Sequence, residues 1–344
     1  MDLISQYISY IRNIRRYSER TSQIYEGVLK DYAAAVCESV KACDETGDLL
    51  TSSDSEFSNE ELLASLNRSE IRSYEVKLID KRKLSTKTVN LHMSVLSGFC
   101  KYLIKQGRLQ SNPVSLVSRP KIQKRVPEFY RFESMDEYFQ KTEYYASKED
   151  LDAFLEAPQT EVGKSAYEKR LARLIISLLY GLGVRRSELV GMTLASVDFG
   201  RNVVKIHGKG DKMREIPILK SLCEEILLYL KAVEALCGRK RSLTEPLLVT
   251  YGMNPIYPVY VDRAVKSELG DVKSITGRKS PHVLRHSIAT ELLNEGSDIN
   301  SIKEMLGHSS LATTQVYTHS SIAQLKNIYE LAHPRAKNGG KHGD

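Results

Sequence analysis

Six side chains suited to phosphate chemistry lie in the second half of this sequence. They comprise two arginines, two histidines, one lysine and one tyrosine, namely Arg185, Lys209, His282, Arg285, His308 and Tyr317. An arginine presents a planar fork that matches two phosphate oxygens. Histidine and lysine can transfer protons, and an activated tyrosine is a nucleophile. In combination, these residue types are what cleavage of a phosphodiester without a metal requires.

Two of these cations stand close to glycines. In "GLGVRRSELVGM", Arg185 follows an apolar helix that ends in glycines, and Glu188 three residues later could hold the guanidinium in position. In "HGKGDK", Lys209 lies at a predicted hairpin tip, from which it could reach into a groove. An ordinary Arg–Glu surface pair and a solvated lysine would give the same patterns, so both interpretations stay open at this point.

A predicted helix start carries the next two candidates. In "SPHVLRHSIATELLNEG", Ser280 is the expected N-cap and Pro281 the first helical residue. His282 and Arg285 are three residues apart and therefore share a face of the first turns. A helix N-terminus with an imidazole and a guanidinium is suited to an anionic oxygen, although a solvated face has the same spacing.

The segment "LGHSSLATTQVYTH" contains Tyr317 between two histidines, one of which is His308. A tyrosine on a short helix is usually a packing residue, and these fourteen positions alone do not distinguish packing from nucleophilic attack.

Other catalytic classes lack support. The sequence has no paired carboxylates arranged for Mg²⁺, no Walker A loop and no zinc-ligand spacing, and its five cysteines form no CxxC pair. We therefore predict no metal and no other cofactor. With no signal peptide and no apolar run of bilayer length, we expect a reduced, cytoplasmic protein without membrane contact.

Length and charge favour two domains and an anionic partner. A chain of 344 residues exceeds the usual size of one core, and its net charge of +7 weakly indicates nucleic acid. Apolar spacings of three and four predict helices in "ISQYISYIRNI", "TSQIYEGVLKDYAAAV" and "TVNLHMSVLSGFCKYLIKQG". An acidic, serine-rich stretch around residues 43 to 60 should be a loop.

The second part should contain a mostly helical domain with one small antiparallel sheet. "NVVKIHGKGDKMREIPI" alternates apolar and polar residues on both sides of a turn and predicts a β-hairpin. Between the two parts, "RPKIQKRVPEFYR" is expected to be extended and basic. Its candidate DNA-binding residues are Arg119, Lys121, Lys124 and Arg125.

With these motifs in place, the chain resembles the tyrosine recombinases of the phage integrase family, and in particular its Xer-like site-specific recombinases. "LLYGLGVRRSELVGMTLASVDF", "IHGKGDKMREIPI", "HVLRHSIATELL" and "MLGHSSLATTQVYTH" match the family's signature segments in order. The resemblance assigns the catalytic positions to Arg185, Lys209, His282, Arg285, His308 and Tyr317. The chain departs from the family's usual pattern at the acidic stretch and at the extra "EFYRFESMDEYFQKTEYY" in the linker.

The resemblance implies a domain plan. Residues 1–118 would be a helical, SAM-like core-binding domain, 119–146 a basic extended linker with an insertion, 147–335 the catalytic domain and 336–344 a flexible tail. It also implies double-stranded DNA with a specific recombination site as substrate. Four protomers, all of this chain or paired with a related recombinase, would assemble on DNA through the C-terminal helix.

By the same resemblance, Tyr317 would form a 3′-phosphotyrosyl intermediate. Strand exchange would then serve Xer-type recombination, DNA inversion, or integration and excision of a mobile element. Two alternatives remain: a type IB topoisomerase, which religates the same strand, and a DNA-binding regulator that has lost catalysis.

Overall fold

The computed structural model describes residues 2–43, 58–121, 128–208 and 213–307, without the side chains of 39–43. Contacts divide the chain into two compact units, Met1–Arg125 and Val126–Asp344. This division falls inside the predicted linker, residues 119–146. The acidic stretch expected to be a loop falls largely on 44–57, outside the described residues.

The first unit is helical. Its α-helices are α1 (Leu3–Asn13), α2 (Glu19–Cys43), α3 (Asn59–Ser65), α4 (Arg68–Val76) and α5 (Thr86–Lys105). Helices α1, α2 and α5 are the three that apolar periodicity predicts, whereas α3 and α4 were not predicted. Asp2 and Ser85 cap α1 and α5 by accepting backbone N–H bonds in the first turn.

Aromatic side chains fill the core of the first unit around α5. The Tyr7 ring packs against Phe99 and Tyr102, with both centroid separations at 5.3 Å. A Cβ at Gly98 would lie 2.7 Å from the Tyr7 hydroxyl, so this close helix contact requires glycine. The buried His92 accepts or donates a 2.8 Å bond with the Tyr74 hydroxyl, which satisfies two polar groups inside the core.

The second unit holds a small sheet within a helical frame. Its α-helices are α6 (Phe132–Lys141), α7 (Lys148–Glu156), α8 (Glu161–Leu182), α9 (Arg186–Val190), α10 (Lys220–Cys237), α11 (Pro258–Glu268), α12 (Pro281–Asn294) and α13 (Ile299–Leu306). Its strands are β1 (Val197–Asp198), β2 (Val203–His207) and β3 (Met213–Pro217), all antiparallel in the order β1-β2-β3. A mainly helical chain with one small antiparallel sheet is therefore confirmed.

Helix α8 is the centre of the second unit. From Leu174 to Leu182 every residue is buried, because α7, α10, α11 and α12 all pack against this helix. The helix ends at Gly183, whose φ of 58° lies in the left-handed region. This ending turns the chain sharply towards Arg185.

Two arginines of α8 are buried with acidic partners. Arg173 donates to Glu225 of α10 at 2.7 Å, and both side chains are at most 2% exposed. Arg170 pairs in the same way with Asp150 of α7. Ser147 caps α7 by accepting the Asp150 N–H at 3.1 Å, while the Asp150 carboxylate turns inward. These pairs lock α7 and α10 to α8.

The segment expected to be an extended linker with an insertion is folded for much of its length. Residues 132–141 form α6, and Met135, Tyr138 and Phe139 belong to the core of the second unit. The expectation missed this helix because its charged residues mask a narrow apolar face. Just before it, the backbone N–H of Tyr130 donates to the Ser287 Oγ of α12 at 2.7 Å.

Candidate active site

Arg185 stands at the N-terminus of α9, held by a carboxylate on its own helix. Its Nη1 donates to Glu188 Oε1 at 2.7 Å, and its backbone N–H donates to Glu188 Oε2 at 2.8 Å. Glu188 is 5% exposed, whereas 40% of the Arg185 side chain reaches solvent. The Glu188 carboxylate therefore fixes both the backbone of Arg185 and its guanidinium, which remains accessible to solvent.

Arg285 lies on α12 and is 5% exposed. Its Nη1 donates to the Gly183 carbonyl and its Nη2 to the Leu306 carbonyl. Burial, together with the positive charges of Arg185 and Arg214, lowers the pKa of Arg285 to about 10, although the negative charge of Glu188 acts in the opposite direction. The guanidinium remains protonated at physiological pH and contributes a poorly solvated positive charge.

A third arginine joins the site, and the sequence prediction missed it. Arg214 of β3 donates from Nη1 to Glu188 Oε1 at 3.1 Å and from Nη2 to Glu188 Oε2 at 2.7 Å. Its Nε donates to the Met305 carbonyl at 2.8 Å. The signal for it was present: strand alternation places Arg214 on the same face as Ile216, which is fully buried. A charge on that face needs a buried acceptor.

Glu188 is consequently shared between two arginines. Burial by itself raises the pKa of this carboxyl, but the hydrogen bonds from Arg214 and from Arg185, with the charge of Arg214, outweigh it. The net effect is a pKa below the usual glutamate value. Glu188 is thus ionised, and it balances one of the two positive charges that contact it.

The three guanidiniums converge on the C-terminal end of α13. The carbonyls of Met305 and Leu306, the last two residues of α13, and of Gly307, which follows them, each accept a hydrogen bond from a different arginine. Arg214 binds the first, Arg285 the second and Arg185 the third. The negative end of a helix dipole also favours cations here. The site therefore assembles from α9, α12, β3 and the end of α13.

His282 occupies the first turn of α12, one turn before Arg285, and its side chain is exposed. The helix begins with Ser280 as N-cap and Pro281 as its first residue, as predicted, although the Ser280 side chain makes no capping bond. The exposed imidazole and the buried guanidinium thus follow one another along the start of the same helix.

The remaining predicted catalytic residues lie outside the described part of the chain: Lys209, His308 and Tyr317. Strands β2 and β3 pair up to His207 and Met213, so Lys209 belongs to the connection between two described strands. His308 directly follows Gly307 in the sequence. In the sequence, Lys209 is therefore flanked by strands β2 and β3, and His308 follows the end of α13, where the three arginines converge.

Of the predicted DNA-binding residues, the first unit contains two that the structure describes. Arg119 and Lys121 are exposed, and Arg119 donates to Ser94 Oγ of α5 at 3.0 Å. Lys124 and Arg125 lie outside the described residues.

Two features are absent from the described residues. None of their helices has the length and apolar character that crossing a bilayer demands. No group of three or more histidine, cysteine, aspartate or glutamate side chains among them is arranged to hold a metal ion.

Comparison with known proteins identifies relatives along most of the chain. The family model described as "Phage integrase family" matches residues 145–324. Tyrosine recombinase XerC of Chlorobaculum parvum is 35% identical over 276 residues, which cover 78% of this chain and 79% of the relative. Tyrosine recombinase XerC of Listeria innocua is 30% identical over 337 residues, which cover 97% and 98%.

Solved structures share the fold at lower identity. The integrase of the Tn1549 transposon, in complex with circular intermediate DNA, matches with a TM-score of 0.57 at 18% identity, over 95% of this chain and 99% of that one. A lambda integrase dimer bound to a COC′ core site matches with a TM-score of 0.56 at 17% identity, over 99% and 78%.

Proposed function

We propose a role for each catalytic residue from one premise: the chain belongs to the phage integrase family and is a tyrosine-type site-specific DNA recombinase, which cleaves and rejoins DNA strands. The observation that carries the assignment is the convergence of Arg185 and Arg285 on the adjacent carbonyls of Gly307 and Leu306, at the end of α13. Two arginines from distant parts of the sequence thereby form one cationic centre, immediately before His308.

The cluster has the charge that a scissile phosphate needs. Three arginines and one glutamate leave two positive charges uncompensated within the cluster. A phosphodiester carries one negative charge, and attack concentrates more charge on its non-bridging oxygens. Arg185, with 40% of its side chain exposed, would contact these oxygens directly. Arg285 would supply charge from a site with little water, where it is most effective.

In the chemical step, one bond to phosphorus forms and another breaks. The Tyr317 hydroxyl attacks phosphorus and gives its proton to His282, the proposed general base. The bond from phosphorus to the 5′-oxygen breaks, and Lys209 protonates that oxygen, while His308 donates to the phosphate. The product is a 3′-phosphotyrosyl link with a free 5′-hydroxyl. Because the link retains the bond energy, attack by another 5′-hydroxyl rejoins the strands without a cofactor.

A covalent trapping assay tests these roles. Sites are first mapped by recovering protein-linked fragments from sheared genomic DNA of the source organism. A duplex with such a site and a nick beside the scissile phosphate then loses its short 5′-hydroxyl fragment on cleavage, so the adduct accumulates. We expect wild type to form the adduct and Tyr317→Phe to form none. Equal trapping by both proteins would overturn the assignment of the nucleophile.

The same assay separates recombination from the alternatives. A type IB topoisomerase would relax supercoiled DNA at unrelated sequences, and a silent regulator would bind without forming an adduct. The relatives named above are tyrosine recombinases, and all six catalytic positions are occupied in this sequence. Adducts confined to one short site, with strands joined between different duplexes, are therefore the expected outcome.

The proposal extends to assembly and location. Exchange between two duplexes needs four cleavages, so we propose a tetramer on double-stranded DNA, either of this chain alone or with a related recombinase. Arg119, Lys121, Lys124 and Arg125 would contact DNA phosphates, and the protein would act in the cytoplasm. The segment "SIAQLKNIYELA", outside the described residues, would reach a neighbouring protomer. Crosslinks from a cysteine placed there should join protomers; exclusively internal crosslinks would contradict this exchange.

A further inference from the structure

Arg214 uses its whole guanidinium in contacts within the protein. Both terminal nitrogens bind the two oxygens of Glu188, and Nε binds the Met305 carbonyl. Only 8% of its side chain is exposed, against 40% for Arg185. A bidentate pair with a further bond fixes the fork in three directions. Arg214 is therefore placed to hold other groups, whereas Arg185 is placed to contact a substrate.

The first group that Arg214 holds is Glu188, and through it Arg185. Glu188 accepts from the backbone and from the guanidinium of Arg185. With Arg185 as its sole partner, the carboxylate would cancel the charge that the phosphate needs. With Arg214 as the second partner, the three side chains keep one net positive charge. Arg214 thus leaves the charge of Arg185 available as well as fixing its direction.

The second group is the main chain that leads to His308. The bond from Arg214 to the Met305 carbonyl joins β3 to the last turn of α13. In the sheet, Arg214 faces Ile206, and the next pair towards the turn is His207 with Met213. Among the described residues, strands β2 and β3, which flank Lys209 in the sequence, are therefore connected to the end of α13 by the Arg214 side chain.

We propose that Arg214 is a positioning residue of the recombination reaction, which aligns Arg185 through Glu188 and fixes strands β2 and β3 against the end of α13. The inference rests on the proposed function of those residues. Arg214 does not touch the DNA in this proposal, so it should affect the cleavage step more than DNA binding. A displacement of about 1 Å in a catalytic group can cost about 100-fold in rate, and we expect a loss of this order for Arg214→Met.

The test compares Arg214→Met with Arg201→Met, which removes a different arginine from the same sheet region. Arg201 forms an exposed pair with Glu215, the neighbour of Arg214 on β3, at 2.8 Å. Two quantities are measured for each full-length protein: affinity for an intact site duplex, by gel shift, and the single-turnover rate of adduct formation on the nicked duplex. We expect Arg214→Met to bind normally and cleave about 100-fold more slowly, and Arg201→Met to match wild type in both.

A double variant asks whether Arg214 acts through Glu188. In Arg214→Met the carboxylate is buried with Arg185 alone, so its charge opposes the phosphate. Removing that charge as well, in Arg214→Met with Glu188→Gln, should recover part of the lost cleavage rate. A residue that only stabilises the fold would give no recovery, because the second change removes further hydrogen bonds.

Folding is checked by circular dichroism and urea unfolding. If Arg214→Met does not fold, Arg214→Lys replaces it in the test. Lysine keeps the positive charge but lacks the planar guanidinium that binds Glu188 and Met305 together. Normal cleavage by Arg214→Lys would then overturn the proposal. Equal cleavage by folded Arg214→Met and wild type would also overturn it and leave the proposed function intact. Failure of wild type to form any adduct would instead overturn the proposed function and this inference with it.

Discussion

Replacing Gly183 by alanine should strain the site at the point where α8 ends. Gly183 has a φ of 58°, and a Cβ there would lie 2.7 Å from Leu306 Cδ2 and 3.3 Å from Ile288 Cγ2. An alanine in the left-handed region costs about 1–2 kcal/mol. Crowding of two buried side chains adds about 1–3 kcal/mol. The free energy of unfolding should therefore fall by about 2–5 kcal/mol.

Gly238 provides a matched control for this change. It also ends a long helix with a positive φ, of 65°, but nothing in the described part of the chain, apart from its own helix backbone and its chain neighbours, lies within 4 Å of its added Cβ. Gly238→Ala should therefore lose only the conformational part, about 1–2 kcal/mol. The difference between the two variants isolates the crowding, at about 1–3 kcal/mol.

Urea unfolding of both variants measures the two free energies, and the trapping assay reports on the site. The Gly183 carbonyl and the Leu306 carbonyl both accept from Arg285, so displacement of Leu306 should move this guanidinium and slow cleavage. Gly238→Ala should cleave like wild type. Equal destabilisation by the two substitutions, or undiminished cleavage by Gly183→Ala, would refute the reasoning.

Two further predictions concern buried carboxylates. Arg173→Met removes the guanidinium that binds the buried Glu225 at 2.7 Å and should cost about 3–5 kcal/mol in urea unfolding. Changing Glu225→Met as well should restore most of it, and a double variant no better than the single one would contradict this. The pKa of Glu188 is lower in the folded protein than in the unfolded chain, where it has the usual glutamate value of 4.5. The ionised form of Glu188 therefore stabilises the fold above pH 4.5. This contribution to the free energy of unfolding disappears as the pH falls through the lower pKa of the folded protein. The unfolding free energies of wild type and Glu188→Gln should accordingly converge below pH 4.5, and a constant difference down to pH 2 would count against this.

Helices whose apolar residues recur at helical spacing could be predicted from the sequence. Helices in which charged residues interrupt that spacing could not. Helix α5 has apolar residues on a broad face and was predicted nearly to its ends. Helix α6 has the sequence FESMDEYFQK, in which charged residues separate the few apolar ones. The structure shows that Tyr138 and Phe139 of this helix lie inside the core of the second unit. Tertiary packing, rather than local pattern, fixes such a segment.

The candidate site was predictable in its residue types but not in its connections. The motif spacing indicated Arg185, Glu188, His282 and Arg285, and the structure brings the two arginines and the glutamate together. Arg214 was overlooked because a strand arginine beside a predicted turn is usually solvated. Main-chain acceptors such as the Leu306 carbonyl carry no signal in the sequence, because every residue type supplies the same carbonyl group.

The reliance on main-chain acceptors has a consequence for sequence drift among relatives. Side chains at positions 305 and 306 can exchange with other apolar residues of similar size while all three arginine contacts persist. Gly307 has no such freedom, because its φ is 64° and a Cβ would lie 3.0 Å from the Arg214 guanidinium. Insertion or deletion of one residue within α13 would offset every acceptor by a third of a turn. In this stretch, selection should therefore preserve helix length and the terminal glycine more strictly than side-chain identity.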